Sequence, residues 1–389
     1  MQTTAITAIN LKSIPERWGP SLVIVVGLAG VVAVFTALLA MSEGFQSTLA
    51  ATGRNDAALV LRGGSQAELN SGLSREEVTL IKQAPGILHD GEDRPQASAE
   101  LIVITELLKP GERTGMNVTL RGVEPLGLKL RPNLKIVEGR GFQTGLRELI
   151  VGRGIARQFP GASVGKTLRM RGSDWTVVGM FESGDAHESE LLADAEVAQS
   201  TFGRRGYSSV LAALAPDNGI KTLQDALSAD PRLNTDATPE QEYYSGQTKQ
   251  FRRTIGVLAG FVTVIMGLGA IFAALNTMYA AVATRAREIA TLRAIGFGGM
   301  PVLASVMAES LVLALVGGAL GAAIAFVLFN NLSVSTLGQN FTQVVFSFKV
   351  TPALVVRGLI ISLAIGMFGG FLPALRAARA PITSALRAG

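Results

Sequence analysis

The sequence predicts a mixed membrane protein: four transmembrane α-helices plus a large α+β extracytoplasmic domain between helices one and two. Three observations predict it. Four long runs are apolar and almost free of charge. A polar stretch, residues 45–250, separates the first run from the other three. The basic residues outside that stretch cluster at alternate ends of the runs.

Residues 18–42 contain no charged side chain and are long enough to cross about 30 Å of hydrocarbon at about 1.5 Å per residue. A cleaved leader would have a shorter apolar part before its small-x-small site, so an uncleaved first span, 21–42, is expected. Residues 1–20 precede it as a cytoplasmic or interfacial helix, with Lys12 and Arg17 inside and Trp18 at headgroup level. A second span is expected at 254–283 and a third at 301–329, interrupted only by Glu309. A fourth is expected at 352–373. Between them lie an inner segment, 284–300, a short outer loop, 330–351, and an inner tail, 374–389. The inner segments hold Arg285, Arg287, Arg293, Arg376, Arg379 and Arg387, and the short outer loop holds only Lys349. That bias places both termini in the cytoplasm of a bacterial inner membrane and the large domain, 43–253, in the periplasm.

The domain reads as mixed helix and strand. Ser74 with Glu77 three residues on makes a capping box before Val78, Leu80 and Ile81, and Pro85-Gly86 ends that helix. Residues 100–105, 116–123, 167–172 and 175–181 alternate or are β-branched and read as strands. Glycines recur at four-residue spacing in the spans, at Gly256 and Gly260, Gly317 and Gly321, and Gly366 and Gly370, with Gly318 beside the second pair. Such pairs let helix backbones approach in lipid, within one bundle or in a dimer.

Composition excludes much. The chain has 389 residues, 48% of them hydrophobic, and no cysteine. Its mean hydropathy is +0.36. Thiolate metal sites and cysteine nucleophiles are excluded. The two histidines, His89 and His187, are far apart and read as surface or loop residues, so no metal site is expected. Residues 45–250 hold 23 basic and 26 acidic side chains, so the whole positive excess lies in the membrane-flanking segments. That is a topology signal and not a nucleic-acid surface.

Residues 160–167, PGASVGKT, approach a phosphate loop, but Pro160 stands where that loop needs glycine, and the segment leads into a strand. A turn before a strand is expected there. No other nucleotide motif and no Gly-x-Ser-x-Gly elbow or His-Glu-x-x-His helix appears. The chain is therefore expected to be no enzyme and to bind no cofactor. The acidic run 182–190 is expected to be a solvated loop. Glu309 lies two turns into the third span, where an ionisable group needs a partner, and a nearby arginine is expected to supply it.

The inner segment 284–297, TRAREIATLRAIGF, reads as a short stiff helix. Ile289, Leu292 and Ile295 recur every third residue, Arg285 and Glu288 are placed to pair, and Gly296 is a helix stop. By itself this reads equally as a topology anchor.

Residues 282–321 resemble the signature of FtsX/MacB-type ABC transporter permeases, the type VII mechanotransmission class. Its Arg-x-x-Glu-Ile-x-x-Leu-Arg-Ala-x-Gly core falls on Arg285, Glu288, Ile289, Leu292, Arg293, Ala294 and Gly296. The later glutamate and Gly-Gly-x-x-Gly fall on Glu309, Gly317, Gly318 and Gly321. Residues 369–389 resemble the family ending, and residues 151–181 resemble the MacB-like periplasmic core domain. The resemblance implies a dimer of permease chains, identical or paralogous, above two copies of a separate ABC ATP-binding subunit that binds ATP and Mg. It implies that the inner helix sits in a groove of that ATPase and transmits its closure to the outer domains. Arg285, Arg287, Glu288, Ile289, Leu292, Arg293 and Gly296 become the coupling residues. Because the chain begins almost at the first span, the unfused DevC-like or LolC/LolE-like arrangement is expected, with a periplasmic adaptor. Efflux is the leading expectation. Lipoprotein or lipid extraction toward an outer membrane, and non-transporting control of a cell-wall hydrolase, are the alternatives.

Overall fold

The computed structural model describes residues 18–108, 115–337 and 343–381. The expected interfacial helix with Lys12 and Arg17 lies outside the described residues, as does Arg387. The chain divides into two compact units. One comprises Met1–Gly44, Arg252–Leu332 and Phe348–Gly389; the other comprises Phe45–Phe251 and Ser333–Ser347.

Helix α1 (Trp18–Ala50) opens the described chain and contains the first span. It continues past residue 42, because loss of apolar character marks the end of the hydrocarbon and not the end of backbone hydrogen bonding. The extracytoplasmic domain follows. In chain order it contains β1 (Ala57–Arg62), α2 (Arg75–Lys82), β2 (Ala97–Leu107), β3 (Met116–Val123), α3 (Pro125–Lys129), β4 (Lys135–Gly139), β5 (Glu148–Gly152), α4 (Arg153–Gln158), β6 (Thr167–Met170), β7 (Ser173–Glu182), β8 (Glu190–Asp194), α5 (Ala195–Phe202), β9 (Ser209–Ala213), α6 (Gly219–Ala229) and β10 (Thr235–Pro239).

The capping box opens α2 as the sequence predicts. The Glu77 amide donates to Ser74 Oγ at 3.1 Å and the Ser74 amide donates to Glu77 Oε2 at 2.7 Å. Strand β6 ends at Met170, earlier than expected. Arg171 and Gly172 both take positive φ, 50° and 76°, and turn the chain directly into β7. Two left-handed residues between paired strands match the right-handed strand twist, so the hairpin closes there.

Ten strands form one sheet in the order β10-β1-β9-β2-β3-β8-β5-β7-β4, with β6 beside β7. Each neighbouring pair among β10, β1, β9 and β2 is antiparallel, and with α2 and α6 these strands make a split β-α-β-β-α-β unit. Strands β3 to β8 are an insertion between its second and third strands, and form a second lobe on the same sheet. The first lobe packs Val60, Ile81, Ala99, Val210 and Leu223 into one core. The second packs Leu149, Ile155, Phe159, Trp175 and Val177 into another. The β3–β8 and β5–β7 pairs are parallel, and α5 follows β8 directly to cover β3.

Helix α7 (Glu240–Thr284) then carries the second span, α8 (Ala286–Ala294) is the short inner helix, and α9 (Gly299–Phe329) is the third span. A hairpin of β11 (Ser333–Leu337) and β12 (Gln343–Ser347) leads to the fourth span, α10 (Pro352–Arg379). Small residues hold the bundle together. Val25 and Leu28 of α1 lie against Gly317, and the Ala29 carbonyl lies against Gly321. Ser310 Oγ donates to the Gly366 carbonyl at 2.6 Å, and Ser362 Oγ donates to the Ala314 carbonyl, tying α9 to α10. Gly318 faces Ser362. The pair on α7 behaves otherwise. Nothing approaches Gly256 or Gly260, and that face of α7 exposes Val257, Phe261 and Val264. Of the two packing modes the glycine spacing allows, contact within one chain holds at Gly317, Gly321 and Gly366 but not at Gly256 or Gly260.

Candidate functional site

Helix α8 lies between the second and third spans. Helix α7 stops at Thr284, whose hydroxyl donates to the Ala281 carbonyl at 2.9 Å, and Arg285 leaves helical geometry with φ −100° and ψ 6°. The Ile289 amide then donates to the Arg285 carbonyl at 2.9 Å and α8 begins. At its far end the Phe297 amide donates to the Leu292 carbonyl at 3.1 Å, and the Gly296 amide donates to the Arg293 carbonyl at 3.2 Å. This double closure requires a left-handed residue after the helix, and Gly296 supplies it with φ +105°.

Two arginines fix α8 against the bundle. Arg285 Nη1 and Nη2 donate to Glu309 Oε2 and Oε1, both at 2.9 Å, and both side chains are buried. The arginine partner expected for Glu309 is therefore Arg285. Arg293 Nη1 donates to the Ala380 carbonyl, capping the C-terminal end of α10. On α10, Arg376 lies 5.5 Å from the centre of the Tyr279 ring of α7. A cavity of about 470 Å³ opens between α7, α8 and α9, lined by Met278, Val282, Arg285, Ile289, Val306 and Glu309.

The expected coupling residues therefore divide by face. Ile289 is buried at 9% exposure and Arg285 at 5%, Leu292 and Arg293 are half-buried, and Arg287, Glu288 and Thr291 are exposed. Ile295, expected to continue the apolar stripe of Ile289 and Leu292, is 69% exposed. Steps of three residues fall short of a full helical turn by about 60°, so positions 289, 292 and 295 wind around the helix instead of lining one side. Met300, at the start of α9, is 75% exposed. Arg287 and Glu288 on α8, with Ile295 just after it and Met300 just beyond, thus give this region an outward charged and apolar surface on a helix held from behind.

Two family models cover most of the chain. The MacB-like periplasmic core domain matches residues 21–230, and the FtsX-like permease C-terminal domain matches residues 260–382. The chain belongs to the MacB/FtsX family of ABC transporter permeases. The permease is 23% identical to the uncharacterized ABC transporter permease YvrN of Bacillus subtilis, over 97% of this chain and 96% of that one. It is 28% identical to an uncharacterized ABC transporter permease protein of Mycobacterium tuberculosis, over 66% of this chain but 31% of the relative. It is 25% identical to the macrolide export ATP-binding/permease protein MacB of Bdellovibrio bacteriovorus, over 94% of this chain and 58% of MacB. The chain therefore spans well under two thirds of the length of these last two. Among solved structures, the extracellular domain of YknZ from Gram-positive bacteria aligns at 18% identity and TM-score 0.37, over 47% of this chain and 99% of that one. The periplasmic region of MacB from Actinobacillus actinomycetemcomitans aligns at 13% and 0.38, over 53% and 94%.

Sequence reasoning missed a second constellation in the permease, inside the extracytoplasmic domain. Arg121 of β3 is 2% exposed. Its guanidinium donates to Glu68 Oε1 at 2.7 Å, Glu100 Oε2 at 2.8 Å and Glu190 Oε2 at 2.7 Å. Arg131 Nη1 donates to Glu100 Oε1 at 2.6 Å. Burial alone would raise the Glu100 carboxyl, but Arg131 and Arg121 outweigh it and hold it below the usual range. Burial opposes the charge on Glu190 too, yet Arg121 and His187 hold that carboxyl far below the usual range.

The run 182–190, expected to be a solvated loop, is built into this network, and His187 is not a surface residue. Asp185 caps a 3-10 turn, Ala186–Ser189, that packs against β5 and α7, and Asp185, His187 and Ser189 are all buried. His187 Nδ1 lies 3.1 Å from Glu190 Oε2. Burial would lower the imidazole, but Glu190 and Asp185 overcome it and raise its pKa above the ordinary value. His89, by contrast, is exposed as expected. No cluster of three or more acidic or histidine side chains among the described residues is placed to hold a metal.

Proposed function

We propose that this permease is the membrane subunit of an export machine of the bacterial inner membrane, driven by a separate ATPase that docks on α8. The carrying observation is the clamped helix. Arg285–Glu309 and Arg293–Ala380 fix α8 to α9 and α10 and the glycine closes its end, so a force on its outward face moves the bundle instead of bending the loop. The outward face, Arg287, Glu288, Thr291, Ile295 and Met300, combines a charged pair with apolar anchors, the composition of a protein-docking surface. Arg285 and Arg293 then act from behind, as positioning residues. Positive-inside bias supports a cytoplasmic α8 and cytoplasmic termini. ATP and Mg belong to the partner, and the domain receives the motion. The relatives named as macrolide exporters support efflux, with a periplasmic adaptor, a dimer of permease chains and two ATPase copies as the fuller assembly.

Co-expression with a candidate ABC ATP-binding subunit from the same genome tests this. Ile295→Asp and the double change Arg287→Ala/Glu288→Ala are expected to abolish co-purification and permease-dependent stimulation of ATP hydrolysis while the permease still folds. Unchanged complex and stimulation in both variants would remove α8 as the docking element.

A further inference from the structure

Three segments connect the extracytoplasmic domain to the spans: the end of α1, the start of α7 and the β11–β12 hairpin. All three meet on the domain side. The Phe45 ring lies 4.2 Å from Phe251 and 5.4 Å from Phe346, so one aromatic cluster joins them. Gln241 Nε2 donates to the Ala50 carbonyl at 3.2 Å, and the Arg54 amide donates to Glu240 Oε2 at 3.0 Å, stitching α1 to α7.

Peptide bonds link these connectors to the first lobe only, because β1 follows α1 and α7 follows β10. The second lobe, inserted between β2 and β9, has no peptide link to a membrane helix. Of its contacts with the connectors, the 3-10 turn Ala186–Ser189 touches all three, while β3 packs on β12 and Arg121 Nη2 donates to the Tyr244 hydroxyl at 3.3 Å. The Ala186 amide donates to Thr52 Oγ1 at 3.0 Å, and the Thr52 hydroxyl donates in turn to the Thr48 carbonyl of α1 at 2.9 Å. The His187 ring meets the Tyr244 ring of α7 edge-on at 5.6 Å. The Val345 amide of β12 donates to Ser189 Oγ at 2.8 Å. The turn itself is stiff. The Asp185 carboxylate accepts from the His187 amide, and Glu188 Oε1 accepts from the amides of Ser183 and Gly184. It sits so close to β5 and α4 that a Cβ at Gly152 or Gly154 would strike the Glu188 carbonyl. Beyond it the chain enters β8, in the middle of the second lobe.

We propose that the Ala186–Ser189 turn is the joint through which movement of the three connectors reaches the second lobe, with Thr52, His187 and Ser189 as its positioning residues. This rests on the reading of the permease as an ATP-driven transmitter. Contact alone does not establish coupling, so the joint has to be cut and the motion measured.

The chain has no cysteine, so introduced pairs report cleanly. Spin labels at Glu138→Cys, on β4 of the second lobe, and Arg253→Cys, on α7, follow the lobe. Labels at Leu258→Cys and Leu320→Cys follow the bundle. The permease with its ATPase in lipid nanodiscs is compared without nucleotide and with Mg-ATP plus vanadate. In Ser189→Ala and Thr52→Val the bundle distance is expected to shift as in the unaltered protein, while the shift of the lobe distance shrinks. A lobe that responds fully in both variants overturns the joint. If Ser189→Ala does not fold, Ser189→Cys/Val345→Cys decides: lobe movement present when oxidised and lost on reduction supports the joint, and movement indifferent to reduction overturns it. If the bundle pair is silent in the unaltered protein, the transmitter reading itself fails and the joint fails with it.

Discussion

Arg285 and Glu309 sit 24 residues apart in sequence and close a buried, two-pronged ion pair between the break after the second span and the third turn of α9. Each side chain would be costly in the membrane alone, and each cancels the other's cost. Glu309→Ala is expected to leave Arg285 buried and uncompensated and to cost about 3–5 kcal/mol, read as a lower unfolding midpoint in detergent. Arg285→Met/Glu309→Leu should recover most of that loss. If the double variant is as unstable as Glu309→Ala, the pair is not what holds α8.

Gly296 tests the end of the same helix. Its φ of +105° is disfavoured for any L-residue, and open space surrounds it, so Gly296→Ala meets backbone strain and no clash. A cost of about 1–2 kcal/mol is expected, confined to the end of α8. Stimulation of the ATPase should fall more than overall stability does, and equal losses in both would argue against a specific role for the helix end.

Arg121 is expected to tolerate no replacement. Methionine would remove the guanidinium that Glu68, Glu100 and Glu190 share. Lysine keeps the charge but not the fork that reaches three partners at once. Both variants should lose about 3 kcal/mol or more, measured by thermal unfolding of the full chain. A lysine variant of normal stability would show that charge alone suffices.

His187 gives the domain a pH dependence of definite sign. Its folded pKa is raised, so the stability it contributes is fully present below about pH 6.5 and is lost as pH rises through the folded value. Glu240, raised by burial and by Glu100, acts in the same direction, beginning nearer pH 4.5. Glu190 is depressed and acts in the opposite sense, its contribution falling away as pH drops below about 4.5. The midpoint gap between the unaltered chain and His187→Gln should therefore shrink between pH 6 and pH 8. A gap that widens over that interval contradicts the assignment.

Much of the permease was legible one residue at a time. The spans, the capped α2, the turn at 160–167 and the glycine stop of α8 depend on local rules, in which a residue meets neighbours a few positions away. The acidic run 182–190 and Arg121 misled for the same reason. A charged position in an alternating strand reads as a solvent face, and nothing local shows that α7 and a 3-10 turn will cover it. The split of α8 into inward Arg285 and Ile289 and outward Arg287 and Ile295 was likewise hidden, because a short helix does not announce which side faces the bundle.

Apolar length, arginine asymmetry and a compact inner-loop signature determined by themselves that this is a four-span permease with a large domain after the first span, because hydration and helix geometry act on each segment independently. Only tertiary structure decided that Arg285 belongs to Glu309, that Arg121 gathers three carboxylates, and that the Ala186–Ser189 turn meets every connector. Those are pairings between residues brought together from distant parts of the chain, and their energies exist only once the surrounding packing has removed the water.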